Sequence, residues 1–344
     1  MSYNHDRLNY ALGKPVATGR LKSEPADFRV DEIAGFEADG SGEHAVLKIE
    51  KKGLNTADVA KSLARLAGIK ERDVGYAGLK DRVAVTTQWF SLYLPGQDDP
   101  EWSELESDQL CVLEATRHGR KIKRGTLRGN RFTLTLREVE GDKDALNERL
   151  KLITSMGVPN YFGEQRFGYQ LGNLDKAAAM FAGRRVKSKN LRGLYISAAR
   201  SMLFNTVLSK RIEMDNWNQL LEGEVAMLDG SRNFFLTETG DTALAERLMS
   251  GDIHPSAPMW GRGSLLSEAE ALVIEEAELE PFESWRDGLE HVGLKQERRA
   301  TRLIPKALEW NFVEDDVLEL SFTLHAGCYA TSVVRELLGL KRPE

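Results

Sequence analysis

The residue in this chain that most invites chemistry is Asp81, in the run Gly78-Leu79-Lys80-Asp81-Arg82, between two stretches rich in β-branched and aromatic residues. A turn there presents a carboxylate between two cations, and neighbouring positive charge keeps an aspartate ionised. With an ordinary pKa of about 3.9, such a group is already a carboxylate at neutral pH. It can attack an electrophilic carbon or remove a proton without a metal or partner base to activate it. Taken alone the pentapeptide is a weak signal, because aspartate in a glycine-initiated turn commonly serves the turn's own hydrogen bonds. Other chemistries find no foothold: the chain has no G-x-G-x-x-G after a strand, no Walker A loop, no G-x-S-x-G elbow and no H-E-x-x-H. Cys111 and Cys328 are far apart, and His5, His44, His118, His254, His291 and His325 are scattered. Neither a disulfide framework nor a zinc site is expected, so the reading is of no metal and no cofactor.

The chain that must position this turn has 344 residues, 41% hydrophobic and 29% charged. That suits a globular protein of two domains, or of one domain carrying an insertion. No run of eighteen apolar residues occurs, and the opening MSYNHDRLNYALGKP has neither an apolar signal core nor an Arg-rich transit pattern. A cytoplasmic protein that does not engage a membrane is expected. The net charge of −6 argues against a uniformly basic nucleic-acid binder. Affinity for phosphates, however, depends on where the charge lies. Residues 117 to 131 hold Arg117, Arg120, Lys121, Lys123, Arg124, Arg128 and Arg131 with no acid among them. Arg184, Arg185, Lys187, Lys189 and Arg192 form a second cluster, and Arg298, Arg299, Arg302 and Lys306 a third; both read as further phosphate contacts. The acids are segregated, six between 97 and 108 without a base and nine between 268 and 290 against Arg286. Any one run reads most simply as a solvated face. Three acid-free clusters in an acidic chain weigh against that.

Alternation places strands over 28 to 33 and 44 to 53, with the Gly-rich ADGSGE between them read as the loop of an antiparallel hairpin. Asn55 and Thr56 can cap a helix in which Val59, Leu63 and Leu66 share a face, with Gly68 as its stop. Strands are expected over 74 to 78, 83 to 94, 110 to 117, with Cys111 in a core strand, and 131 to 139. GLKDR connects the first two of these. A helix from about 143 to 155 meets GVPNYFGEQRFG, where Gly, Pro and aromatics break any regular pattern and a domain boundary is placed. Beyond it the chain is helix-rich, with Ile196, Ala199, Leu203 and Val207 as a buried stripe. From about 305 a strand and a helix follow, too short a tail to fold alone. The reading is α+β: a discontinuous domain with a mainly antiparallel mixed sheet flanked by helices, interrupted by a helix-rich insertion.

Several motifs stand in order along the chain: Lys22 with ADFRVDE, YAGLKDR, GNRF with Asn130 and Phe132, GVPNYFGEQRFG, and AGCYATSVVREL. Together, over nearly the whole length, they resemble the TruD family of pseudouridine synthases. The resemblance implies a pseudouridine-synthase catalytic domain of residues 1–156 and 305–344, and an inserted TRUD domain of residues 157–304. It implies an isomerase that converts a tRNA uridine, typically position thirteen of tRNA-Glu, by cutting the base from its sugar, rotating it and rejoining it through C5. No cofactor or metal takes part, and a monomer acting on tRNA is expected. Asp81 matches the family's catalytic aspartate. Lys22, Phe28, Lys80, Asn130, Phe132 and Tyr329 match positions that line its pocket, although Phe132 also alternates as a core residue with Leu134 and Leu136. Tyr329 stands where some relatives carry Phe, which adds a hydroxyl needing a partner. Either Lys22 or Lys80 is the cation expected beside Asp81. Flipping the uridine out of the stack calls for a basic surface, and Arg120, Lys121, Lys123, Arg124 and Arg128 are the backbone contacts expected. Two other readings stand beside this one: an RNA methyltransferase with Cys328 as nucleophile near His325, for which a Gly-rich methyl-donor loop is missing, and an RNA-binding protein without catalysis.

Overall fold

The computed structural model describes residues 8–238 and 240–341, so His5 and the opening MSYNHDR lie outside the described residues. In chain order the elements are strands β1 (Ala17–Leu21), β2 (Phe28–Ala34) and β3 (His44–Lys52), helix α1 (Thr56–Leu66), strands β4 (Val74–Tyr76), β5 (Val85–Tyr93), β6 (Leu110–His118) and β7 (Leu127–Gly141), and helix α2 (Lys143–Met156). There follow β8 (Val158–Pro159), α3 (Gly172–Phe181), α4 (Lys189–Glu213), β9 (Val225–Leu228), β10 (Phe234–Leu236), α5 (Ala243–Ser250), β11 (Ile253–Met259), α6 (Ala269–Leu279), α7 (Glu283–His291), β12 (Glu297–Ala300) and β13 (Arg302–Leu303). The chain closes with β14 (Lys306–Glu314), β15 (Val317–His325), α8 (Ala330–Leu337) and β16 (Leu338–Leu340). None of the described helices is long and apolar enough to cross a membrane.

The fold is α+β and divides into two compact units. The first, which carries Asp81, holds residues 16–143, 305–327 and 338–341 of the described chain. Its sheet has the order β14-β15-β7-β2-β5-β3-β6, with β1 joined to β7 and β16, and β4 to β5. Within this sheet the β2–β5 and β1–β16 pairs are parallel, and the other described pairings are antiparallel. On one face, Val59 and Leu63 of α1 are buried against Leu47 and Ile49 of β3 and Phe90 of β5. Asn55 caps α1 in a reciprocal box with Asp58, an arrangement worth about 1 kcal/mol to a helix.

Two expectations fail in this sheet. The hairpin between 28 to 33 and 44 to 53 does not form, because β5 lies between β2 and β3, parallel to the first (Val30 beside Thr86) and antiparallel to the second (Leu47 beside Phe90). Almost every residue of β5 is buried, and a strand covered on both faces belongs inside a sheet. Alternation in β2 and β3 reveals which face each buries, not which strand each pairs with. Cys111 is exposed: β6 is the terminal strand of this order, and Leu110, not Cys111, turns inward.

The second unit holds residues 8–15, 144–304 and 328–337 of the described chain. Its core is built on α4, where Ala199, Leu203 and Val207 are fully buried with Phe204, Trp217 and Trp285. A four-stranded sheet of order β10-β9-β11-β12 accompanies the helices. The division coincides with the expected junction at 304/305 but falls at 143/144 rather than 156/157, since α2 groups with the inserted region, as do α8 and the N-terminal segment. Buried Arg149 of α2 shows why: its guanidinium donates to the carbonyls of Leu12, Gly13 and Glu336, tying three separated pieces of chain into one unit.

Candidate active site

Asp81 lies in the loop from β4 to β5, and the sheet holds that loop at several points. The Gln88 side chain of β5 donates to the carbonyl of Gly78 at 2.5 Å, and the N–H of Lys80 donates to Thr56 Oγ1 at 3.0 Å, at the start of α1. Thr56 donates in turn to Gln88 at 3.0 Å. Lys51 Nζ donates to the carbonyls of Asp81, at 3.0 Å, and Leu54, at 2.8 Å. These bonds give the loop one conformation, and so give the carboxylate one position.

The carboxylate of Asp81 is partly exposed and carries its own partners. Oδ1 accepts from the N–H of Val83 at 3.0 Å, and Oδ2 is paired with Nζ of Lys22. Burial alone would raise the carboxyl group's pKa, but the Lys22 hydrogen bond and charge, the Val83 N–H and the charge of Lys51 together hold it below the usual carboxylate value. Lys22 follows β1 with a left-handed backbone, φ +64°. A lysine adopts that region at a cost of roughly 1–2 kcal/mol, which places local strain at the residue that meets Asp81. Its ammonium also sits over the ring of Phe28, 4.1 Å from the centroid. Phe28 meets Phe132 edge-on at 6.1 Å, and Phe132 stacks on Phe322 at 5.6 Å.

Lys80 takes a different path from Lys22. Its ammonium is buried, 2.7 Å from Glu32 and donating to Asn130 Oδ1 at 2.8 Å. Of the two lysines considered from sequence, Lys22 is the one paired with Asp81. Two buried charged groups at the site escaped the sequence reading, Glu32 and Lys51, and both had a signal. Glu32 continues the inward alternation of Phe28 and Val30, and Lys51 that of Leu47 and Ile49. A charge on the inward face of a strand requires a partner. Burial pushes the Lys51 ammonium down to about 8, with Asp81 opposing and Lys80 assisting.

A family model described as tRNA pseudouridine synthase D (TruD) matches residues 5–180 and 174–337. The tRNA pseudouridine synthase D of Methylococcus capsulatus is 52% identical to this chain over 97% of its length and 94% of the relative's. The chain belongs to the tRNA pseudouridine synthase D (TruD) family. The Aeromonas hydrophila member is 50% identical over 97% of this chain and 94% of its own. A crystal structure described as TruD from Methanosarcina mazei superposes with a TM-score of 0.73, covering 96% of this chain and 95% of that one at 22% identity, and thus shares the fold.

The basic loop of this TruD chain docks beside the Asp81 loop. The N–H of Gly125 donates to the carbonyl of Ala77 at 2.8 Å, and that of Ile122 to Ser91 Oγ at 2.9 Å. Gly75 permits this: a Cβ there would lie 2.3 Å from the Ile122 carbonyl oxygen. Arg120, Lys123, Arg124 and Arg128 are exposed, and Lys121 is half-buried with its ammonium on the Arg72 carbonyl. Arg124 lies over the Tyr76 ring, 4.4 Å from its centroid. Phe28 and Phe132 are buried, so Phe132 fills the core position that its alternation allowed.

Tyr329 belongs to the other unit, where Arg166 donates to its hydroxyl and Phe162 meets its ring edge-on at 6.0 Å. The hydroxyl added relative to Phe is therefore satisfied. The cluster Arg184, Arg185, Lys187, Lys189 and Arg192 is exposed as expected. The third is not a phosphate surface: Arg298 is buried against Glu275 and Arg302 against the carbonyls of Leu248 and Ile253. Charge runs do not distinguish exposed cations from those satisfying buried acceptors. Burial raises the pKa of the Cys328 thiol, the reverse of what nucleophilic sulfur requires.

Proposed function

We propose that this chain isomerises a specific tRNA uridine to pseudouridine with Asp81 as nucleophile, the base being flipped out of the stack beside the basic loop. Membership of the TruD family makes it a tRNA pseudouridine synthase, an isomerase; the residue roles and the target are the proposal. The observation that carries it is the state of Asp81: a carboxylate held ionised by Lys22, fixed by a pinned loop, and still partly exposed. An ionised carboxylate can attack an electrophilic carbon of the nucleoside directly. In the isomerisation the bond from C1′ to N1 breaks, the uracil turns, and C1′ joins C5; the proton lost from C5 is balanced by one gained at N1.

Lys22 shields the negative charge near the transferred base and holds the carboxylate's orientation, while Asn130 addresses the base edge. The aromatic group of Phe28 and Phe132 floors this region, and Arg120, Lys123, Arg124 and Arg128 neutralise phosphates around it. Lys121, anchored on Arg72, stiffens the loop that carries them. The proposed target is uridine thirteen of tRNA-Glu, on the strength of the family likeness. The test is to incubate the protein with an unmodified tRNA-Glu transcript in buffer and salt alone, then map pseudouridine by carbodiimide labelling and primer extension. A single new stop at position thirteen, absent with Asp81→Asn, is the expected result. A stop elsewhere overturns the target, and a stop that persists in the variant overturns the role of Asp81.

A further inference from the structure

We propose that Glu32 and Lys80 lock the polarity of the Asn130 side chain, so that it presents only N–H donors to the flipped base and selects the C4 carbonyl of uracil against the C4 amino group of cytosine. This rests on the reading that the flipped base meets Asn130. Lys80 Nζ lies 2.7 Å from Glu32 Oε2 and 2.8 Å from Asn130 Oδ1. An ammonium has donors and no acceptor, so it fixes the identity of the amide atom it touches: the oxygen faces Lys80 and the NH2 faces away. The lock is rigidly mounted. Glu32 and Asn130 are opposite one another in the β2–β7 register, β7 is held on its other edge by β15, and the Lys80 backbone is bonded to Thr56. At Gly129 the strands are too close for a side chain, since a Cβ would stand 2.2 Å from the Leu324 carbonyl oxygen.

The Glu32 and Lys80 side chains are only 1% and 7% exposed, and an ion pair so buried loses hydration that its own attraction barely offsets. An amide free to rotate would serve a carbonyl equally well without that pair, by turning its NH2 toward it. Fixing the amide's polarity changes recognition only at an edge where the alternative base is a donor. Uracil and cytosine share the C2 carbonyl and differ at N3, which carries a hydrogen only in uracil, and at C4, oxygen in one and an amino group in the other. A locked donor favours uracil only opposite C4, which is the edge assigned to Asn130 here. A locked donor opposite the cytosine amino group leaves two buried donors facing each other, and unpaired buried polar groups discriminate strongly. Glu32 and Lys80 are thus positioning residues, acting through Asn130.

The experiment compares two tRNA transcripts that differ only in carrying U or C at the target position, with binding measured in an Asp81→Asn background that prevents turnover. With the lock intact the U transcript binds about 10- to 100-fold more tightly. The double variant Glu32→Gln, Lys80→Met removes the pair without stranding a buried charge. It narrows the ratio to within about threefold, chiefly by gaining affinity for the C transcript as the amide turns over, while Lys80→Arg keeps a donor on Oδ1 and keeps the preference. A folded double variant with an unchanged ratio, or with equal losses on both transcripts, overturns the lock. Asn130→Asp retains the Lys80 contact but offers only acceptors, so it inverts the preference toward C; a retained preference for U also overturns the lock. Asn130→Ala separates this from the underlying reading. If it leaves the ratio intact, the base does not meet Asn130; if it abolishes a ratio that the double variant keeps, only the lock fails.

Discussion

Two ion pairs of this protein, one in each unit, have similar components and opposite surroundings. Arg298 and Glu275 are each 2% exposed, joined at 2.6 and 3.0 Å, with Ser256 and Ser267 taking up further valences. Lys22 and Asp81 are 17% and 32% exposed, so the carboxylate stays partly accessible. The first pair is closed, and it ties α6 to β12 and, through Ser256, to β11 within one core. The second sits on a pinned loop with a strained lysine, which stabilises little and keeps a charged group accessible in one geometry. Burial therefore separates charge used for architecture from charge available to a substrate, although residue type and pairing distance look alike.

The comparison breaks first at Asp81. Asp81→Asn lowers kcat/KM for tRNA isomerisation by on the order of 10⁴ or more, while urea unfolding shifts by less than about 1 kcal/mol, because an accessible turn carboxylate contributes little to the core. A loss of several kcal/mol in that variant would show that Asp81 is architectural after all. Arg298→Ala behaves oppositely: it strands Glu275 in the core and costs about 3–5 kcal/mol in stability, with kcat of the remaining folded enzyme within about twofold of wild type. Lys22→Met sharpens the contrast within the site. Removing the cation that depresses the Asp81 carboxyl raises its pKa, so the acid limb of the pH–rate profile moves to higher pH and kcat falls by roughly 10- to 100-fold. An unmoved acid limb would assign that limb to another group.

The smallest effect concerns Lys51. Its folded pKa, about 8, lies below the 10.5 of the free side chain. Between those values the unfolded chain binds the proton more readily than the folded one. The group's contribution to stability therefore rises as pH climbs from about 8 to 10.5 and is least favourable below 8. Urea titrations across that window detect the rise in wild-type protein and its loss in Lys51→Met; identical slopes in the two proteins would place the pKa elsewhere.

Much of the site was legible because its motifs are local. The GLKDR loop lies between two strands, and the capping of α1 by Asn55 and the stripe on α4 follow from spacing alone, whereas Lys22, the cation that holds Asp81 ionised, comes from a distant part of the chain. Buried Glu32 and Lys51 were legible in principle, as charges breaking the inward alternation of β2 and β3. Reading them calls for knowing that both faces meet at one loop.

What the sequence determined alone is whatever rests on contacts within a few residues or on a repeating pattern: element types, inward faces, the basic loop, and family membership through motifs kept in order. What only the tertiary structure decided is pairing across distance. It set β5 between β2 and β3, exposed Cys111 at the end of the strand order, buried Arg298 and Arg302, gave Lys22 to Asp81 and Lys80 to Glu32, and grouped α2 and α8 with the inserted region. Period-two alternation fixes a strand's face but not its neighbour, and a side chain's charge does not state which opposite charge it will meet. Those choices are made by the competition of all strands and charges for burial at once.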